Sequence, residues 1–501
     1  MIQLEDILKN AKQVIEPYTE KIVIQQLPVD VLAIIKIYLS DKDMIRLLST
    51  YQIMNTLKIR FAYNDQIHLQ KIPMQMDGKI QDVYFVNDIK MDDLITLPYY
   101  KNIKNIHYHS KSTSIPCMVT HLSFSDEFNK SLKNKIPTSV THLTFGDKYD
   151  QPIRDTIPHS VLYLKFGYDF NQAIKNNLPS SITHLKFGCK FNQPIKNSLP
   201  GSILYLTFGD RFDQPIRDSI PPSVTHLKFG SLFDHPLTGN IPKSVTHITL
   251  GEYFGAELYP KDCKIPNNVY HLTIEDDENA RDQDDFYEEI KNIFDLSPSI
   301  THLVFGDKFN MRIQKNMSSS LTHLTFGTWF NRSIKNSIPD SVTHLTFGSN
   351  FDKPIKNNIP SSVTHLTMGT YFNQPIKNAI PSSVTRLFFA SVFNQPIYNS
   401  IPPFVKHLSF GYKFNQEIKG NIPSSVTHLY LADKMNKYFI ADGIPNTVKY
   451  LILPSSRKND INPNDFSMRV IWCDDFCNYR SGRGDSNDSN YLSYSEILKL
   501  E

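Results

Sequence analysis

Histidines stand at positions 121, 142, 184, 226, 247, 271, 302, 323, 344, 365, 407 and 428, separated by 21 residues or its double except across two insertions. A row of imidazoles has the chemistry of a metal site or a pH sensor. Zinc or copper binding needs converging ligands, yet no cysteine or carboxylate recurs beside these histidines, and Tyr163, Tyr205, Arg386 and Tyr450 interrupt the row. The expectation is a structural or surface ladder with some pH sensitivity, and no metal or cofactor. Two further clusters invite the same question. Cys473-Asp474-Asp475-Phe476-Cys477 lacks a second cysteine pair, and the acidic stretch Glu275-Asp276-Asp277-Glu278 through Glu288-Glu289 lacks the Asp-x-Asp-x-Asp-Gly spacing of a calcium loop. Solvated charge is expected in the second, looping out over 275–292. No nucleophile, base and orienting group recur together, so no catalytic activity is expected.

The elements that position these side chains follow from one unit, plainest at Ile359-Pro360-Ser361-Ser362-Val363-Thr364-His365-Leu366-Thr367-Met368-Gly369. Its central leucine, or an isoleucine, recurs at 122, 143, 164, 185, 206, 227, 248, 272, 303, 324, 345, 366, 387, 408, 429 and 451, giving sixteen units over 114–454. Val363, Leu366 and Met368 stand at i, i+3 and i+5, the apolar spacing of a leucine-rich repeat. Period-2 alternation then predicts one short strand per coil, with Leu366 and Met368 inward and His365 and Thr367 outward. Gly348 and its equivalents are expected to take a positive φ at the corner after the strand. Asn373 and its counterparts suit a turn whose nearby backbone groups they satisfy. Pro375 and Ile376 form a second extended edge, Lys377-Asn378 the outer corner, and Pro381, with no N–H, stays out of the strand ladder. A lone coil is not stable, because fixing a backbone residue costs about 1–2 kcal/mol while its few apolar side chains gain roughly 1.5–3 kcal/mol each. Stacking is therefore obligatory.

Segments such as Phe191-Asn192-Gln193-Pro194-Ile195 and Phe372-Asn373-Gln374-Pro375-Ile376, each followed by Ile/Leu-Pro and a Val/Ile-Thr/Leu-His/Tyr-Leu strand, resemble FNIP repeats. That leucine-rich-repeat relative occurs chiefly in social amoebae and in giant viruses that infect amoebae. The resemblance implies a protein-interaction module without an active site.

Upstream, the apolar residues Val31, Ile35 and Leu39 share one helical face, Pro28 fits a first turn, and Ser40 with Asp43 reads as an N-cap and its acidic partner. Met44, Leu47, Leu48 and Tyr51 face one side of a second helix. The pattern is similar to an F-box at Leu27, Pro28, Asp30, Val31, Ile35, Leu39, Asp43, Met44 and Leu47, and departs from it at Lys36, Thr50 and Met54. That resemblance implies a substrate receptor of a cullin-RING ubiquitin ligase, with Leu27, Pro28, Asp30, Val31, Ile35, Leu39, Met44 and Leu47 on a Skp-type adaptor and the repeats on a protein target. The alternative is a scaffold solenoid whose N-terminal helices only cap the first coil.

The expected organisation is thus an N-terminal helix at 1–26, an F-box-like helical domain at 27–60, degenerate first coils or linker at 61–113, the solenoid with its parallel sheet at 114–454, and a C-terminal cap and mobile tail at 455–501. The net charge of +3 offers no global field for nucleic acid or an anionic membrane. No run of eighteen apolar residues is present, no leader is expected from Met1-Ile2-Gln3-Leu4-Glu5-Asp6, and the five cysteines are scattered, so the expected setting is a reducing compartment: the cytoplasm, that of the host if the chain is viral, or the nucleus. Specificity in such arrays resides in outward positions that depart from the repeat. Here those are Lys165, Lys186 and Lys228 in place of threonine, then Trp329, Arg386, Phe388 and Tyr430, and they are the expected target-binding residues.

Overall fold

A computed structural model describes residues 67–68, 82–86, 105–251, 264–275, 297–313, 317–431, 434–436, 438, 440, 443–458 and 467–473. The F-box-like segment, the acidic insertion beyond Glu275 and the stretch from Asp474 onward lie outside these residues.

Two compact units make up the chain, 1–224 and 225–501. The first contains β1 (Ile67–His68), β2 (Asp82–Val86), β3 (Asn105–Ser110), β4 (His121–Phe124), β5 (His142–Thr144), β6 (Tyr163–Lys165), β7 (His184–Lys186) and β8 (Tyr205–Thr207). Each strand pairs in parallel with the next, in a register that sets equivalent residues side by side: His121 against His142, Leu122 against Leu143, Lys165 against Lys186.

The second unit continues the same pattern with β9 (His226–Lys228), β10 (His247–Leu250), β11 (His271–Ile274), β12 (His302–Phe305), β13 (His323–Thr325), β14 (His344–Thr346), β15 (His365–Thr367), β16 (Arg386–Phe388), β17 (His407–Ser409), β18 (His428–Tyr430), β19 (Tyr450–Pro454) and β20 (Arg469–Cys473). Parallel pairing runs unbroken from β9 to β20, across both insertions. The strands read half-exposed, buried, half-exposed, as the alternation requires.

Each unit is a leucine-rich-repeat-type solenoid whose core is a set of columns. Val140, Leu143, Phe145, Tyr149 and Ile153 are buried, and so are their equivalents in every following coil of the unit. Aromatic rings stack within a coil, Phe187 on Phe191 at 3.8 Å, and between coils, Phe170 on Phe191 at 6.2 Å. Serine hydroxyls fill a polar column beside them, Ser181 donating to the Val161 carbonyl at 2.7 Å and Ser362 to Val342 at 2.7 Å.

Three local expectations change. The positive-φ residues are not the strand-exit glycines but the outer-corner residues Asn134, Asp155, Asn176, Asn197, Asp218, Asn336, Asn357, Asn378 and Asn399, with Gly239 and Gly420 taking the same place in their coils. Asn and Asp tolerate the left-handed region that this corner demands. The strand-exit glycine is needed for a different reason: a Cβ on Gly348 would overlap the carbonyl of Gly327 in the preceding coil, and a Cβ on Gly188 that of Gly167. Finally, the asparagine after the core phenylalanine works between coils and not within its own turn. Asn192 N–H donates to Asn171 Oδ1 at 2.9 Å, and Asn394 N–H to Asn373 Oδ1 at 2.9 Å. Gln193 and Gln416 add side-chain bonds to the same row at 3.1 and 3.0 Å. The Pro-Ile edge that follows is not a regular strand, and this amide ladder holds it.

Candidate interaction surface

Two outward columns cover the face of each sheet, the histidine column and the threonine column two residues on. In the first unit the rings of His107, His121 and His142 stack at 4.1 Å, and Tyr163, His184 and Tyr205 continue the row, the last two 4.4 Å apart. In the second unit His226, His247, His271, His302, His323, His344 and His365 stack in unbroken succession at 3.9 to 4.2 Å.

Where a threonine precedes the histidine, it sets the ring. Thr322 Oγ1 donates to the Thr301 carbonyl at 3.1 Å and lies 2.9 Å from His323 Nδ1, and the same pair of contacts recurs at Thr141, Thr183, Thr301, Thr343, Thr364 and Thr427. The carbonyl already accepts two backbone N–H groups, and the hydroxyl's shorter contact is the one to Nδ1, so the threonine holds the ring in place.

Burial is the main cause that holds His271, His344 and His407 down at about 4, and the neighbouring imidazoles add to it because adjacent charged rings repel. These three rings are thus neutral near pH 7. Its rings are parallel and do not converge, and among the described residues no group of three or more His, Cys, Asp or Glu side chains could hold a metal ion.

The residues expected to bind a target are not all equally available. Lys165 is half-buried and Lys186 exposed, in direct cross-strand register on β6 and β7. Lys228 instead forms an ion pair with Glu275, the first residue of the acidic insertion, so it does not belong to a basic patch. Trp329 is exposed beyond β13. Arg386 takes a place in the histidine column between His365 and His407. Phe388 is half-buried. Tyr430 is only 7% exposed and packs with Ile452 and Ile471, so it belongs to the base of the surface and not to an anchor that reaches out.

A groove of about 540 Å³ follows the threonine column in the second unit, lined by Thr325, Thr346, Thr367, Phe388, Ser409 and Tyr430, with the strand-exit glycines on one side. Leu162, Leu204 and Val304 are exposed on the outward faces and were not singled out from the sequence. The signal was present: Leu162 and Leu204 fill a position that is threonine in most coils, and Val304 fills that of Thr325.

The FNIP Repeat family model matches twelve segments that together span residues 111–277 and 313–456. The chain belongs to the FNIP repeat family. Among solved structures, the FNIP-repeat chain is 35% identical to CroV588, described as a novel circular LRR protein, with a TM-score of 0.55 over 78% of this chain and 58% of that one. It thus spans somewhat over half the length of that relative. The leucine-rich repeat-containing protein LegL7 from Legionella pneumophila is 18% identical over 52% of this chain and 90% of its own, with a TM-score of 0.28. The Toll–Spatzle complex from Drosophila matches at 10% identity over 78% and 62%, with a TM-score of 0.38. No curated protein matches the chain. No helix among the described residues is long and apolar enough to cross a membrane.

Proposed function

We propose that this FNIP-repeat protein is a receptor: its repeats hold a protein target, and residues 27–60 hold a Skp-type adaptor of a cullin ubiquitin ligase. The observation that carries the interaction half is the sheet face. Every inward position is committed to the core columns and every Thr-His pair to the coil junction, so the remaining outward side chains can vary without harm to the fold. The adaptor half rests on Leu27-Pro28, Asp30-Val31, Ile35, Leu39, Met44 and Leu47, whose spacing is that of an F-box. Transfer chemistry then belongs to other subunits, and the chain acts where those subunits are, in the cytoplasm, the host's if the chain is viral, or in the nucleus.

Co-purification of the full chain with a Skp-type adaptor tests the adaptor half. A stable complex is expected, and the double variant Leu27→Ala/Ile35→Ala is expected to lose it while keeping the β-rich circular dichroism of the array. No complex with folded wild-type protein overturns the ligase reading and leaves a scaffold solenoid.

A further inference from the structure

The outer corners of the second unit form a row of their own. Asn336, Asn357, Asn378, Asn399 and Gly420 take the left-handed conformation once per coil, and β13 to β17 hold those coils in parallel register, about 4.8 Å apart. The residue before each therefore falls in line with its counterparts: Lys335, Lys356, Lys377, Tyr398 and Lys419, all of them exposed.

Like charges in line on neighbouring coils repel one another. The first unit relieves that repulsion. Its left-handed place holds Asp155, 3.5 Å from Lys133 and 3.9 Å from Arg154, and Asp218, 3.9 Å from Arg217. Aspartate tolerates that backbone as asparagine does, yet the corners of the second unit carry asparagine or glycine. The carboxylates of these corner segments are Asp340, Asp352 and Glu417. Asp352 is taken up by the amide ladder, and among the described residues none of the four lysines forms an ion pair. The whole chain carries only +3, so the row is a local concentration of charge.

Apolar groups share the edge. Pro354, Pro375 and Pro396 are exposed just ahead of Lys356, Lys377 and Tyr398. Tyr398 is 65% exposed, and Phe404, in the same coil, 62%. Phe404 stands where Ser362, Ser383 and Ser425 each donate to a carbonyl of the preceding coil at 2.7 Å. This coil has thus exchanged a hydrogen bond for an exposed ring, which gains nothing in water and gains where the ring can leave it.

Ammonium groups in line, flanked by prolines and two exposed rings, suit a negatively charged plane with an apolar layer beneath it. Each lysine attracts anionic headgroups, while tyrosine and phenylalanine settle at headgroup level. We infer that the outer-corner edge from Lys335 to Lys419 docks peripherally on a bilayer surface rich in anionic phospholipid. The site uses none of the sheet-face columns and does not depend on the adaptor.

The test is co-sedimentation of the full chain with vesicles of phosphatidylcholine alone, or with about one third phosphatidylserine. Binding is expected to the mixed vesicles only, and to fall as salt rises. The variant Lys335→Asn/Lys356→Asn/Lys377→Asn is expected to weaken it by about fivefold for each lysine removed. Tyr398→Ser/Phe404→Ser is expected to weaken it with the salt dependence kept, and Lys449→Thr, on the sheet face, to leave it unchanged; circular dichroism checks that each variant is folded. Equal binding to the two kinds of vesicle, or unchanged binding by the triple lysine variant, overturns the inference. Oligothymidylate and polyglutamate are the soluble polyanions of the same test, and tighter binding of either through the same lysines also overturns it. The variant Leu27→Ala/Ile35→Ala is expected to bind the mixed vesicles as the wild type does, so the adaptor reading and the lipid site fail separately.

Discussion

Thr343 Oγ1 lies 2.9 Å from His344 Nδ1 and 3.2 Å from the carbonyl oxygen of Thr322, one coil earlier. The pair is a single device: the hydroxyl clamps two coils together and orients a ring on the surface. Where tyrosine replaces histidine, at 163, 205 and 450, the preceding residue is Leu162, Leu204 or Lys449 and no longer threonine.

Thr343→Val keeps the shape and removes both bonds; the Thr322 carbonyl keeps the Thr343 and His344 N–H donors, and the His344 ring loses its partner at Nδ1. A loss of about 1–3 kcal/mol is expected in urea unfolding.

Neutral rings in the histidine column make the array acid-sensitive. His271, His344 and His407 sit at about 4, below the usual histidine value of about 6.5 that the unfolded chain presents. Between these values the unfolded state binds more protons, so the stabilisation is complete above about 6.5, falls as pH drops through the window, and is gone below about 4. The melting temperature is therefore expected to decline already between pH 6.5 and 5, before most carboxylates titrate. A flat profile over that interval counts against the buried neutral rings.

Asn373 accepts the Asn394 N–H at 2.9 Å and donates its own N–H to Asp352 Oδ1 at 3.0 Å. Asn373→Ala removes the acceptor, and unfolding is expected at lower denaturant by the equivalent of about 1–3 kcal/mol. Asn373→Asp, the residue that the chain itself uses at Asp352, is expected to be close to neutral. Equal effects of the two substitutions would disprove a specific amide ladder.

Tyr149 is fully buried in the aromatic column, and its hydroxyl has no hydrogen-bond partner. Burial without compensation raises its pKa and disfavours the polar group itself. Phe128 and Phe170 occupy the same place in the neighbouring coils, so Tyr149→Phe fits without rearrangement. It is expected to raise stability by about 1 kcal/mol, measured by the denaturation midpoint.

Much of this fold is legible in one sequence because the leucines at 21-residue steps fix strand, register and facing at once. A repeat acts as its own alignment. What the periodicity leaves out is which coil a side chain reaches. Asn373 reads as a local turn residue because its type suits one, yet its partner is 21 residues away. Gly348 reads as a conformational glycine, but the carbonyl of Gly327 that excludes a Cβ is visible only once the coils are stacked. Lys228 and Glu275 meet across 47 residues, over an intervening coil of irregular length, and Tyr430 is covered by residues of β19 and β20. Both are tertiary facts with no periodic signature. Leu162 and Leu204 were readable as departures from threonine, and only their exposure distinguishes them from core leucines.

The most direct measurement places a photo-crosslinking amino acid at Thr207 or Thr346, on the outward strand face, and at Lys377, on the outer corner. Crosslinks to a bound target are expected from the strand-face positions and not from Lys377. Crosslinks from Lys377 alone would contradict the assignment of recognition to the outward columns of the sheet.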